Sequence, residues 1–137
     1  VQAFRDKNIE NYNISLEIIP MKKNERYLYY KEFKEKIKDF TAIFCASDAY
    51  AIEVMNYLMD NGVKIPEDIS IAGFDDIPAS TIVRPALTTI KQDIGVRAET
   101  AMRLLNELIN GYIKENNIIL PVELVERGSV KPLKDKV

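Results

Sequence analysis

The sequence predicts an α/β fold, a three-layer arrangement in which a parallel sheet is flanked by helices. Three observations carry that expectation. TAIFCA (41–46) and ISIAGF (69–74) are short apolar runs without polar alternation, as strands covered on both faces require. The segment between them, AYAIEVMNYLMDNG, repeats apolar residues at helical spacing. A strand, a helix and a strand in that order make a right-handed crossover with parallel pairing.

The remaining elements follow along the chain. VQAFRDKNI places Val1, Phe4 and Ile9 on one side of a helix end. ISLEII (14–19) alternates apolar and polar over its first five residues and stops at Pro20, which predicts a strand. In NERYLYYKEFKEKIKDF, Tyr27, Tyr30, Phe33 and Ile37 recur at helical spacing. Residues 22–39 hold seven Lys/Arg against four Asp/Glu. Their interspersion at i,i+3 and i,i+4 marks a solvated helix face rather than a phosphate-binding patch. The helix after TAIFCA carries Ala51, Ile52, Met55, Leu58 and Met59 on one face and stops at Gly62. Residues 77–87 read as a loop with Pro78 and Pro85, and LTTIKQD (87–93) reads as a strand. IGVRAETAMRLLNELING is a strong helix ending at Gly111. Its stripe of Val96, Ala98, Ala101, Met102, Leu104, Leu105, Leu108 and Ile109 demands a covering partner. IILPVELVERGSV is a last extended segment, and the lysine-rich end is expected to fray.

Composition narrows the chemistry. The 137 residues suit one compact domain with a real core, and 47% apolar against 29% charged residues is a globular balance. A formal net charge of -2 argues against a free-standing nucleic-acid binder, so DNA contact by this chain itself is not expected. No signal peptide and no apolar run near the ~20 residues that cross a bilayer occur, so no membrane contact is expected. One cysteine and no histidine exclude an internal disulfide, most zinc sites, the Ser-His-Asp triad and Cys-His proteases. Cys45, inside TAIFCA, reads as a small core residue. The start at Val1 without a methionine reads as a fragment or a processed product.

Two strands end in carboxylates, TAIFCA in Ser47-Asp48 and ISIAGF in Asp75-Asp76, and in doubly wound sheets such ends share the ligand-binding rim. Ser47 or Asp48 is also a good N-cap, and Asp76 suits the turn before Pro78. Asp75, directly after Gly73-Phe74, is aimed across the rim, where a carboxylate accepts two hydroxyls of a vicinal diol. The same pair could hold Mg2+ through oxygen. That chemistry wants another acidic residue from an earlier strand, and Ile19-Pro20-Met21 offers none.

SDAYAIEVMNYLMDNGVKIPEDISIAGFDD, RPALTTIKQD and ILPVELVERGS, in that order and spacing, resemble the C-terminal part of the effector domain of the LacI/GalR family of transcriptional repressors. The resemblance implies one lobe of a periplasmic-binding-protein-like type I fold. Residues 1–90 and 119–137 would form the C-terminal lobe, and 91–118 a crossover strand and helix belonging to an N-terminal lobe absent from the chain. It implies that Asp75 contacts a small-molecule effector, that Gln92 reaches the cleft, and that Ser47 stands where the family's Ala-Asn-Asp motif has asparagine. Asp48 beside it is the fourth candidate. Ile52 and Met55, with Ile82 in the loop 79–84, would lie near a homodimer interface. The function implied is cytoplasmic sensing of an effector, a sugar or sugar derivative, with operator DNA reached only through a headpiece absent from this chain. No catalytic residue, metal or cofactor is expected. The rivals are a periplasmic sugar-binding protein of a transport system and a Mg2+-dependent enzyme using Asp48, Asp75 and Asp76.

Overall fold

The structure, a computed structural model, describes residues 6–7, 13–112 and 117–133. The helix end expected at Val1, Phe4 and Ile9 and the lysine-rich terminus after residue 133 lie outside the described residues. The chain divides into two compact units, Val1–Phe40 and Thr41–Val137.

In the first unit, α1 (Lys23–Lys36) runs into a single 3-10 turn, Ile37–Asp39. The strand expected over 14–19 does not form, and the segment is extended without a ladder. A strand exists only where a second one accepts its backbone hydrogen bonds, and alternation alone does not supply that partner. Side chains tie the segment to α1 instead. Glu17 Oε2 accepts from the Tyr29 hydroxyl at 2.5 Å, Glu17 Oε1 accepts from Ser15 at 2.8 Å, and Lys36 Nζ stands 3.2 Å from Glu17. Those hydrogen bonds, Tyr29's foremost, hold the Glu17 carboxyl down at about 2. Tyr29 is pushed up by burial and by the same bond, and its ring stacks on Phe33 with centroids 5.7 Å apart.

The second unit is built on a four-stranded sheet of β1 (Ala42–Phe44), β2 (Ser70–Asp75), β3 (Thr88–Gln92) and β4 (Val122–Val125), in that spatial order. β1, β2 and β3 pair in parallel, with Ala42 opposite Ser70 and Ala72 opposite Thr88. β4 returns antiparallel, Val122 opposite Gln92. The parallel sheet expected from TAIFCA and ISIAGF is thus present, with one antiparallel edge. Coverage on both faces holds for β2 but not for β1, whose Ala42 and Phe44 are exposed at the sheet edge.

Between them α2 (Asp48–Asp60) packs on β2 and buries Ala51, Val54, Met55 and Leu58, an i, i+3, i+4, i+7 stripe. Ile52 and Met59, expected on that face, are half-buried, and Val54 is turned inward in their place. Met55, expected near a dimer interface, is 0% exposed and packs in the core of this unit. Ile69, Ile71 and Leu87 complete this core.

The expected loop 77–87 contains one short helix, α3 (Ala79–Ile82). Pro78 supplies a helical φ of -52° at its start, and the Thr81 hydroxyl donates to the Pro78 carbonyl at 2.8 Å. Its Ile82 is 72% exposed. α4 (Ile94–Ile109) matches the helix expected there but has no buried residue. Its Val96, Met102, Leu105, Leu108 and Ile109 stand exposed. Among the described residues no helix is long and apolar enough to cross a membrane.

Candidate functional site

Parallel pairing sets the carboxyl ends of β1, β2 and β3 on one rim, because strands that run together end together. Ser47 follows the end of β1, and Asp75 and Gln92 are the last residues of β2 and β3. Asp75 and Asp76 both have positive φ, 116° and 54°, a conformation uncommon for residues with a Cβ and worth reading as a functional turn.

The two carboxylates do different work. Asp75 is half-buried, and its Oδ1 accepts from Gln92 Nε2 at 2.8 Å. Its Oδ2 has no partner among the described residues. Gln92 Oε1 in turn accepts from Arg97 Nη1 at 3.0 Å. Asp76 turns the other way, and its Oδ1 accepts from Arg127 Nη2 at 2.5 Å, both side chains being about one-sixth exposed. The Arg127 backbone N donates to Thr88 Oγ1 at 2.9 Å and its Nη1 to the Leu87 carbonyl at 2.8 Å. Two residues on, buried Ser129 donates to the Ile71 carbonyl at 2.6 Å and accepts from Thr88 N at 2.8 Å. The RGS motif therefore fastens β2 to β3 and the Asp76 turn to both.

Asp48 is withdrawn from the ligand-facing set. It is 0% exposed, and its oxygens accept from Ile77 N at 3.0 Å, Ser80 Oγ at 2.6 Å and Thr89 Oγ1 at 2.5 Å. The α2 cap is Ser47, half-buried, whose Oγ accepts from Ala49 N at 3.3 Å. Serine caps and aspartate anchors the loop that carries Asp75 and Asp76. Half-buried Cys45 is pushed up to about 12 by burial and secondarily by the Asp48 charge. Among the described residues no group of three or more His, Cys, Asp or Glu is gathered as a metal cage.

Structure thus brings Asp75 and Gln92 into direct contact, leaves Ser47 on the same rim at the end of β1, and takes Asp48 inside. Arg97 and Arg127 were not among the candidates. The only sequence signal for Arg127 was its place in the ERGS motif, and Arg97 lay on a helix read for its apolar stripe.

A parallel α/β sheet with a carboxylate and an amide on the rim at its strand ends is the architecture of a small-molecule-binding lobe. The family profile of the periplasmic binding protein-like domain matches residues 2–130. The chain is 44% identical over 95 residues to the HTH-type transcriptional regulator MalR of Clostridium butyricum, covering 69% of this chain and 28% of that one. A LacI family transcriptional regulator from Enterococcus faecium, solved with bound ribose, superimposes with a TM-score of 0.75 at 31% identity, over 97% of this chain and 49% of that one. A lac repressor dimer bound to operator and an anti-inducer superimposes with a TM-score of 0.65 at 34% identity, over 75% and 36%. The chain belongs to the periplasmic binding protein-like domain family, in the form carried by LacI-type transcriptional regulators. It spans between about a quarter and a half of the length of these relatives.

Proposed function

We propose that this chain is the C-terminal part of an effector-sensing domain of a cytoplasmic transcriptional repressor, and that its effector is a sugar or sugar derivative. Residues 1–90 and 119–137 form one lobe of the sensor, and 91–118 cross to a second lobe contributed by preceding chain. The observation that carries the reading is Asp75, a carboxylate set on the rim by a strained turn, with one oxygen held by Gln92 and the other open to a ligand. Charged acceptors make the stronger hydrogen bonds to hydroxyls. The relative with bound ribose supports a sugar as the class of effector.

Effector binding between two lobes favours one lobe arrangement, and the difference in affinity sets operator affinity, a coupling typically of ~1–3 kcal/mol. Operator contact is made by a headpiece outside this chain, in keeping with its net charge of -2. The relatives are regulators, and we read this chain likewise as a sensor and not an enzyme. The dimeric lac repressor supports a homodimer, with exposed Ile82 and half-buried Ile52 at its interface.

Calorimetric titration of a sugar panel into the longest natural polypeptide containing this chain tests the reading. Asp75→Ala removes hydrogen bonds to a charged group worth about 1.5–3 kcal/mol, so binding weakens at least about tenfold while the melting temperature holds. Unchanged affinity in that variant overturns it.

A further inference from the structure

Arg97, Gln92 and Asp75 form a chain with a fixed direction. Arginine has donors and no acceptor, so the amide oxygen of Gln92 must face Arg97 and its nitrogen must face Asp75. The rim therefore presents a cation and an anion held apart by a neutral amide, where direct contact would cancel both charges. Lys91, Arg103 and Arg127 of this unit stand beside Glu123, Glu107 and Asp76, and Arg84 is turned onto the carbonyls of Thr81, Ile82 and Val83. Arg97 is exposed, and its guanidinium has no carboxylate partner among the described residues. Only Nη1 is used, leaving the Nη2 and Nε edge of the fork open.

We propose that Arg97 is the anion-recognising residue of this site and that the effector is a hydroxylated anion, a sugar phosphate or a sugar acid. The inference rests on the effector-sensing reading and adds the charge of the ligand to it. Hydroxyls meet the open oxygen of Asp75, which repels an anionic group placed on it. The phosphate or carboxylate meets Arg97, whose planar fork fits two oxygens of such a group at once. Opposite charges at the two ends of the chain give the ligand one orientation. A neutral sugar satisfies Asp75 and leaves Arg97 in water, so it binds less tightly.

The test titrates ribose, ribose 5-phosphate, glucose, glucose 6-phosphate and glucuronate into the longest natural polypeptide containing this chain. At least one charged probe binds about tenfold or more tighter than its neutral parent, and added salt narrows the gap. Arg97→Gln abolishes the preference, weakening the charged probe by far more than its neutral parent, whereas Arg97→Lys keeps part of it, charge without the fork. If Arg97 serves only to orient Gln92, Arg97→Gln weakens neutral and charged sugars alike, and the inference fails. It fails as well if no charged probe is preferred or none binds. Neutral-sugar binding that is lost in Asp75→Ala, with no charged probe preferred over its neutral parent, rejects this inference and keeps the effector-sensing reading; absence of all sugar binding rejects both.

Discussion

A Cβ added at Gly73 would stand 2.2 Å from Asp48 Oδ1 and 3.0 Å from Leu87 Cδ2, so β2 passes the buried carboxylate at a distance only glycine permits. Gly73→Ala must push Asp48 off the three donors it receives, and overpacking of this kind costs about 1–3 kcal/mol. Asp48→Ala leaves Ile77 N, Ser80 Oγ and Thr89 Oγ1 without their acceptor and costs about 2–5 kcal/mol. Urea denaturation of both variants checks this, and a loss below about 0.5 kcal/mol, the range of ordinary surface substitutions, refutes the anchoring role. The sequence separated Asp75 from Asp76 because Gly73-Phe74 and Pro78 give the two carboxylates different settings. It did not separate Asp48 from Ser47, because the donors that claim Asp48 lie 29, 32 and 41 residues onward. Nor did it show Arg127 with Asp76, a pairing across 51 residues that only the β2–β3–β4 order creates.

Helices were legible and sheet partners less so, since a helix satisfies its backbone locally and a strand does not. α4 was expected over 94–111 and is observed as Ile94–Ile109, its start fixed by Asp93, whose Oδ1 accepts from Val96 N at 3.0 Å. The 3.6-residue period of α2 was read correctly at Ala51, Met55 and Leu58 and missed Val54 by one position of rotation. ISLEII had the alternation of a strand but no ladder partner among the described residues, and α3, at four residues, is too short to leave a period at all. Capping gives the test at this scale. Asp93→Ala costs about 1 kcal/mol and shortens α4 from its N-terminus, whereas Ser47→Ala costs about 0.5 kcal/mol because its bond to Ala49 N is longer, 3.3 Å. Thermal melts followed by circular dichroism read both, and a larger loss for Ser47→Ala than for Asp93→Ala overturns the ranking.

At the scale of the molecule, α4 is the element that this chain does not account for by itself. Sixteen residues form it, none is buried, and an isolated helix of that length is marginal in water. Its exposed Met102, Leu105 and Leu108 are the kind of stripe that a packed partner normally covers. The relatives extend well beyond the matched region, this chain spanning 49% of the Enterococcus faecium regulator, and the lobe assignment proposed above places the cover in preceding chain. Hydrogen exchange separates the two conditions. In the 137-residue chain the amides of α4 exchange fast while those of β2, with its buried Ser70, Ile71 and Gly73, stay protected. In the longest natural polypeptide containing the chain, α4 exchange slows by about tenfold or more as its stripe is covered. Leu105→Glu follows the same logic: Leu105 is already 47% exposed here, so the change is nearly neutral in the short chain and costs about 2 kcal/mol or more in the longer one. Equal exchange of α4 in both polypeptides, or an equal response to Leu105→Glu, removes α4 from the second lobe.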